Sequence, residues 1–167
     1  MRKSIKLLAM GVAALLLAGT ASNAEAGGKL KYDSKSTYEV ESLGRDGDGY
    51  KVVRLHGIGD TEEAAIEDAK MKAVACALFC GFPSGEDGVT GPTPAIISDP
   101  NAEAASKKFL TEFFKEGGDY TKYVIVSKRV PTKASSKISK KSYRVRIGMD
   151  VSYDALKAEM QKQGVIK

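Results

Sequence analysis

Cysteine and histidine are the residue types here best suited to metal or redox chemistry, and Cys76 and Cys80 stand four positions apart. In a helix, that spacing puts both thiols on one face. The pair has four interpretations: buried free thiols that pack like small apolar side chains, an intrahelical disulfide, a metal site, or a disulfide to a partner. A metal site needs two more ligands, and His56 is the only histidine. We therefore expect no metal or cofactor and favour free thiols.

The residues that could carry out catalysis form no recognisable constellation. His56 has no identifiable nucleophile to activate, because no Gly-x-Ser-x-Gly motif occurs. Residues 46–49 begin like a calcium-binding loop but lack its later acidic ligands, so a hairpin turn is the better interpretation. Gly57 and Gly59 lack the third glycine of a dinucleotide-binding motif. We predict a protein that is not an enzyme.

A cluster of basic residues without any acidic residue lies between positions 128 and 146, and we call it the basic hairpin. Such a cluster attracts phosphate groups or anionic headgroups, including those of lipopolysaccharide. The alternative is a merely solvated lysine surface. Aromatic side chains do not alternate with these cations as they do in single-strand nucleic-acid sites, so no nucleic acid is expected. The cluster consists of Lys128, Arg129, Lys133, Lys137, Lys140, Lys141, Arg144 and Arg146.

Residues 1–26 have the three parts of a signal peptide. Basic residues open the chain, an apolar stretch follows, and Ala24 and Ala26 supply the small residues that signal peptidase requires. Cleavage after Ala26 predicts an exported protein, periplasmic or secreted and associated with the cell envelope. Thr20 stands where a lipoprotein would carry cysteine, so no lipid anchor is expected. No later apolar run reaches the roughly 18 residues that a transmembrane span needs.

Composition excludes further classes of protein. The net charge of +5 falls to +3 without the signal peptide, which contains three basic residues and one acidic residue. That mild excess does not indicate a nucleic-acid binder. Two cysteines are too few for a disulfide-rich scaffold. The length suffices for one domain with a hydrophobic core, which we place at residues 37–167 after a flexible leader at 27–36.

Two strands and a helix are predicted for the first half of that domain. Alternating residues indicate strands at 38–42 and 50–56. Asp60 is the expected N-cap of the helix, with Glu63 completing a capping box, and Gly81 is expected to end it. Apolar residues spaced three and four apart predict one helix face packed closely on a sheet. That stripe consists of Ile66, Ala69, Ala73, Cys76 and Cys80.

Residues 81–100 form the longest predicted loop and contain four of the five prolines. A loop of this length is either functional or mobile. We expect it to contact a partner, and another protein of the cell envelope is the expected partner. Its candidate contact residues are Phe82, Pro83, Val89, Pro92, Pro94, Ile96 and Ile97.

The second half is predicted to contain helices at 101–116 and 153–163 around two strands. Apolar residues on both faces predict a central strand at 120–130, followed by a serine- and lysine-rich connection at 133–142. Strict alternation at 143–151 predicts a half-buried strand that pairs with the preceding one as a hairpin. The order β-β-α-α-β-β-α predicts an α+β fold, an antiparallel sheet with helices packed on one face.

Several stretches resemble known envelope proteins. Gly57-Ile58-Gly59 followed by TEEAAIEDAKMKAVACAL, and the ending RVRIGMDVSYDALKAEMQKQGVI, are similar to the amino-terminal domain of the flagellar assembly protein T and to related small outer-membrane lipoproteins. DAKMKAVACALFCGFPSG and FLTEFFKEGGDYTKYV resemble a group of secreted proteins of Bacteroidota. The resemblance implies a fold and an envelope location, and it carries no catalytic residues to this chain.

Two functions from different classes follow from these features. We expect a non-enzymatic accessory protein of the cell envelope that binds another envelope protein through the 81–100 loop or an exposed strand edge. The alternative is an anion-binding module that holds lipopolysaccharide or anionic lipid on the basic hairpin. The dependence of binding on ionic strength distinguishes the two functions. Contacts through an apolar loop depend weakly on ionic strength, whereas headgroup binding depends on it steeply.

Overall fold

A five-stranded antiparallel sheet organises the part of the chain that the computed structural model describes, residues 32–36, 38–45, 49–86, 88–130 and 133–167. The predicted signal peptide and the start of the predicted leader lie outside these ranges. The strands are β1 (Val40–Arg45), β2 (Tyr50–Gly59), β3 (Val124–Val126), β4 (Lys133–Ser139) and β5 (Ser142–Ser152). The helices are α1 (Glu62–Phe79), α2 (Pro100–Ala105), α3 (Lys107–Phe113), α4 (Tyr153–Lys162) and a 3-10 helix at Asp119–Tyr123.

β5 is the central strand of the sheet. It pairs with β2 along almost its whole length, from Ser152 opposite Tyr50 to Tyr143 opposite Gly59. On its other side it pairs with β3 near its carboxyl end and with β4 near its amino end. β1 pairs with β2 and forms the far edge. Strands and helices together confirm the predicted α+β class, and within the described ranges no helix is long and apolar enough to cross a membrane.

α1 begins one residue later than its capping signal predicts. Thr61, and not Asp60, is the N-cap, and its hydroxyl accepts the Ala64 N–H at 3.1 Å. Both residues have capping side chains, but Thr61 holds the last extended backbone conformation before the helix, so its oxygen reaches the free N–H groups of the first turn. The helix ends at Phe79, and Gly81 leaves it with a φ of +75°.

The carboxyl-terminal half of α1 is buried on every side, in contrast to the single packed stripe that the spacing predicts. Ten of its residues are buried, whereas Cys80, a member of the predicted stripe, is exposed. One side of α1 packs on β2 and β5. Its last turn is covered by the returning chain, since the N–H groups of Ile96 and Ile97 bond the carbonyls of Ala77 and Leu78 at 3.1 and 2.7 Å. Alanine suits such a helix, because two packed layers leave little room for side chains.

The glycines that end β2 lie inside the strand and not after it. A Cβ on Gly57 would collide with the Ala65 carbonyl oxygen and lie 2.9 Å from the Ala69 Cβ. A Cβ on Gly59 would lie 2.8 Å from the Ala64 Cβ. The predicted strand end at residue 56 is therefore wrong, because the ladder with β5 continues to Gly59. Glycine is needed here for the close approach of α1.

Two predicted elements of the second half are wrong in length or type. The helix predicted at 101–116 is divided at Ser106 into α2 and α3. In the central strand predicted at 120–130, only β3 is a strand, and the residues before it form the 3-10 helix. Tyr120 is the buried residue of that helix, and β3 lies at one end of the strand order with Ile125 56% exposed, so the predicted central strand buried on both faces is wrong. The predicted last strand and last helix are confirmed as β5 and α4.

β4 occupies the stretch that the sequence indicates as a connection at 133–142. It forms a hairpin with β5, and Lys140 and Lys141 make the turn. The side chains of residues 136–139 are all exposed. A strand segment with exposed side chains on both faces shows no alternation of apolar and polar residues, so the sequence at 136–139 has the pattern of a loop.

Gly57→Ala should destabilise the protein by about 3 kcal/mol, the upper end of the usual cost of overpacking, because the colliding group is a backbone carbonyl that cannot rotate away. Urea denaturation measures this change. Gly91→Ala is the matched control, since a Cβ there meets nothing within 4 Å, and its effect should stay within about 0.5 kcal/mol. Equal denaturation midpoints for the two variants would show that α1 does not approach β2 this closely.

Candidate functional site

The residues of the basic hairpin do not form one surface. Lys128 and Arg129 follow β3 and lie level with Gly148 in β5, because the preceding residue bonds the Gly148 carbonyl. Lys140 and Lys141 lie about 20 Å further along β5, at the rise of a strand. The side chain of Lys133 lies outside the described part of the structure. The single cluster predicted from the sequence is therefore divided.

Arg146 belongs to an ion-pair network and is not available to an external anion. Its guanidinium and that of Arg54 both donate to the Glu41 carboxylate, the Arg54 bond at 2.9 Å. These residues come from β5, β2 and β1, so one carboxylate joins three strands. The hydrogen bond from Arg146, followed by that from Arg54, lowers the pKa of Glu41 against the opposing effect of burial.

Four basic residues remain together at one end of the sheet, and we call them the hairpin end: Lys137, Lys140, Lys141 and Arg144. All four are exposed, and within the described residues none of them forms an ion pair. Lys137 places its ammonium 5.7 Å from the centre of the Tyr143 ring, within cation–π range. Lys128 and Arg129 are exposed too but lie apart from these four, so the hairpin end is the part of the predicted basic surface that stays together.

Next to the hairpin end, a cleft of about 270 Å³ opens where β2 runs on past the start of β1. β1 begins with Val40 opposite Leu55, whereas β2 stays paired with β5 as far as Gly59. From residue 56 onward, the side of β2 that would face β1 is therefore open. The cleft is lined by Ser36, Tyr38, Glu39, Leu55, His56, Ile58, Lys72 and Arg144.

A buried carboxylate shapes the wall of this cleft. Asp68 on α1 accepts the Ile58 N–H at 2.8 Å and pairs with the Lys72 Nζ at 2.6 Å, both through Oδ2. Without Asp68, the Ile58 N–H would be an unpaired donor on the open side of β2. Lys72 uses one of its three N–H donors in this pair, so two remain for another acceptor.

His56 lines the same cleft and is loosely held. Its Nδ1 lies 3.9 Å from a Glu39 carboxylate oxygen, which is too far for a hydrogen bond, and the Glu39 side chain is 92% exposed. Across the described ranges, no three side chains of the metal-ligating types come together as a metal site. The cleft thus presents nitrogen donors, with His56, Lys72 and Arg144 on its lining.

Comparison with protein-family models, curated proteins and solved structures finds no match. The resemblance to the flagellar assembly protein T domain and to the secreted proteins of Bacteroidota stays a prediction. Any function therefore has to be argued from the site itself.

The candidate partner loop supplies part of the core. Phe82, Ile96 and Ile97 are 3%, 7% and 5% exposed. Their prediction as partner-contact residues is therefore wrong, because they are buried in the protein's own core. Phe82 exchanges two backbone hydrogen bonds with Thr93, at 2.8 and 2.9 Å, which closes the loop on itself. The candidates that stay at the surface are Pro83, Val89, Pro92 and Pro94.

The two cysteines are free thiols in different environments. Cys76 is buried and donates to the Gly81 carbonyl at 3.0 Å, and burial raises its pKa to about 12. Cys80 is exposed, and its thiol donates to the Ser36 carbonyl at 3.6 Å. The expectation of burial is therefore correct for Cys76 and wrong for Cys80, which lies beyond the end of α1.

The end of the predicted flexible leader contacts the domain beside the cleft. Tyr32 stacks on Phe79 and Phe114, with ring centroids 5.5 and 4.6 Å away. Together with the contact from Cys80, this stacking sets Ser36 on the lining of the cleft. The aromatic residue at position 32 is the sequence signal for this packing, since an apolar ring gains free energy by burial.

Sequence reasoning found Arg144 but missed Lys72 as a site residue and gave His56 no binding role. Asp68 and Lys72, an acidic and a basic residue four positions apart in α1, are the signal that could have drawn attention to this wall. Their position beside the open side of β2 depends on the register of β1 against β2, which no local pattern encodes.

Glu41→Gln should remove a pH-dependent part of the stability. A carboxylate whose pKa is lowered by folding stabilises the protein fully above its unfolded value of 4.5, and this contribution is lost as the pH falls through the folded value. The melting temperature of the wild type should exceed that of the variant by a constant margin above about pH 5, and the margin should shrink below about pH 4. Glu39→Gln changes an exposed carboxylate and is the control, so its melting temperature should match that of the wild type at each pH. If the difference in melting temperature between the wild type and Glu41→Gln stayed the same down to about pH 3, the ion-pair network would be contradicted.

Iodoacetamide should modify Cys80 and spare Cys76 in the folded, reduced protein. Alkylation requires an accessible thiolate, and the Cys76 thiol is 1% exposed with a raised pKa. Mass spectrometry should show one adduct under native conditions and two in denaturant. Cys80→Ser should give none under native conditions, and rapid native labelling of that variant would mean that Cys76 is accessible.

Proposed function

We propose that the protein is a non-catalytic binding module of the cell envelope, which attaches to anionic lipid headgroups, lipopolysaccharide included, through the hairpin end. The supporting observation is the absence of compensating charge there. Lys137, Lys140, Lys141 and Arg144 are exposed and form no ion pair among the described residues. The sequence from 128 to 146 contains no acidic residue that could supply one locally.

Five lysines outside the hairpin end are arranged differently. Each of them pairs with an acidic residue three or four positions away, which compensates its charge within a few ångströms and leaves little field at a distance. In the hairpin end the cations add instead, so the field extends outward from the turn between β4 and β5. The paired lysines are Lys70, Lys72, Lys115, Lys122 and Lys162.

The shape of the hairpin also suits contact with a flat anionic surface. Lys140 and Lys141 lie in the turn itself, where no neighbouring strand shields them. Basic residues near an anionic membrane contribute about 1 kcal/mol each, so the four residues of the hairpin end would give about 4 kcal/mol. That magnitude corresponds to reversible, salt-sensitive attachment, which is how a peripheral module binds.

Replacing Lys137, Lys140 and Lys141 with Gln should reduce the apparent affinity for phosphatidylglycerol-containing vesicles by about 100-fold, because three residues at about 1 kcal/mol each are lost. The measurement is co-sedimentation at low and at physiological ionic strength, with phosphatidylcholine vesicles as the neutral reference. Wild-type binding should weaken as salt rises, since the Debye length falls to about 8 Å at physiological ionic strength.

The matched control replaces three exposed lysines elsewhere, Lys107, Lys108 and Lys157, and makes the same change in net charge. This variant should lose less than about threefold, half a kcal/mol or so. Equal losses in the two variants would mean that binding follows net charge and not the hairpin end. A wild type that stays in the supernatant at low salt would reject the lipid-binding function.

A second candidate function, docking of another envelope protein, is favoured by the outer side of β4. β4 pairs with β5, and no strand in the described ranges pairs with its other side. Ile138 on this strand is 50% exposed. An extended segment of a partner could add there as a sixth strand. Co-purification from envelope fractions that survives about 0.5 M salt would support this function over headgroup binding, because screening removes the latter.

A further inference from the structure

Three elements bring nitrogen-bearing side chains into the cleft: His56 from β2, Lys72 from α1 and Arg144 from β5. The register fixes two of them. Arg144 is directly opposite Ile58, and His56 is two positions before Ile58 on the same face of the sheet. His56 and Arg144 are therefore diagonal neighbours with backbones roughly 7 Å apart, a spacing that long side chains can bridge onto one group.

Each of the three side chains keeps hydrogen-bonding capacity for a ligand. Lys72 is oriented by Asp68, which leaves two of its N–H donors unused. Arg144 forms no ion pair with any of the described residues. His56 lies 3.9 Å from its carboxylate neighbour, so its ring nitrogens are not engaged there.

Two carboxylates face this cleft, and their negative charge would repel a bound anion unless it is compensated. Asp68 is already satisfied by the Ile58 N–H and by Lys72, so its charge is compensated in place. Glu39 is 92% exposed, so water solvates its carboxylate and screens it. Neither carboxylate is bonded to Arg144, and the arginine is left as the uncompensated charge of the cleft.

The number and direction of the donors favour a tetrahedral oxyanion. A carboxylate offers two oxygens in one plane, whereas a phosphate offers three or four oxygens to donors from different sides. The guanidinium fork binds two of those oxygens, and an ammonium binds another as a point charge. A cleft of about 270 Å³ is large enough for a phosphate with a few attached carbon atoms and is smaller than a site for a drug-sized molecule.

We propose that the cleft binds a single phosphate group, held by Arg144, Lys72 and His56, either esterified in a lipid headgroup or as free inorganic phosphate. The inference rests in part on the proposed function, because Arg144 belongs to both the cleft and the hairpin end. It adds a saturable site of defined chemistry to a surface that otherwise attracts anions without selection.

The test is a calorimetric titration of the full chain with two soluble probes, inorganic phosphate and glycerol 3-phosphate. Both should saturate at one site per chain. Arg144→Gln should weaken that binding by at least tenfold, and His56→Gln should weaken it severalfold. Lys141→Gln is the matched control, since it removes the same charge from the hairpin end outside the cleft lining, and it should change binding by less than twofold. Melting curves should show that all three variants fold.

The two probes distinguish the source of the phosphate. Tighter binding of glycerol 3-phosphate would support an esterified headgroup as the ligand, and tighter binding of inorganic phosphate would support a free phosphate. Equal losses in Arg144→Gln and Lys141→Gln, or no saturable binding of either probe, would overturn the cleft site. Vesicle binding could still hold in that case, and the hairpin function would stand without it. Saturable phosphate binding without vesicle binding would support the cleft and reject attachment to a membrane.

Discussion

The close approach of α1 to β2 is the constraint on which the rest of the structure depends. Gly57 and Gly59 leave no side chain between the strand and the first turns of the helix. At that separation, Asp68 reaches the Ile58 N–H and replaces the partner that a longer β1 would have provided. One turn further, Lys72 is held against the same carboxylate. Tight helix packing and the wall of the cleft are thus consequences of the same two glycines.

Packing a helix this closely also explains why the 81–100 loop is structural. From Ala73 to Leu78 α1 is apolar on every side, so a second layer must cover what the sheet does not. Ile96 and Ile97 provide that cover with their side chains and also bond the carbonyls at the end of the helix. Those carbonyls have no partner within the helix, and a buried carbonyl without one would cost free energy. Three of the seven candidate contact residues are therefore used inside the protein, and Pro83, Val89, Pro92 and Pro94 are those left at its surface.

The local sequence pattern predicted the elements that bury one face regularly, and it failed where burial is irregular or absent. β5 alternates because its inner residues, such as Ile147, face the core while Arg146 does not. In the 3-10 helix the buried residue is Tyr120, so burial there follows no strand period that the sequence could show. Residues 136–139 of β4 have exposed side chains, so they show no apolar period either. At the start of α1, Asp60 and Thr61 both satisfy the capping rule, and only the backbone distinguishes them.

The candidate site shows the same limit at the level of charge. The density of lysine and arginine along the sequence identified the basic stretch. Whether each of these cations is free to bind an anion depends on acidic partners that are distant in sequence. Arg146 is bonded to Glu41, a residue 105 positions earlier, while Arg144 faces the opening left by the short β1. The two arginines lie two positions apart on the same face of β5. The start of β1 decides which of them has an acidic partner, and so the position of an edge strand, more than the number of basic residues, determines where an anion can bind.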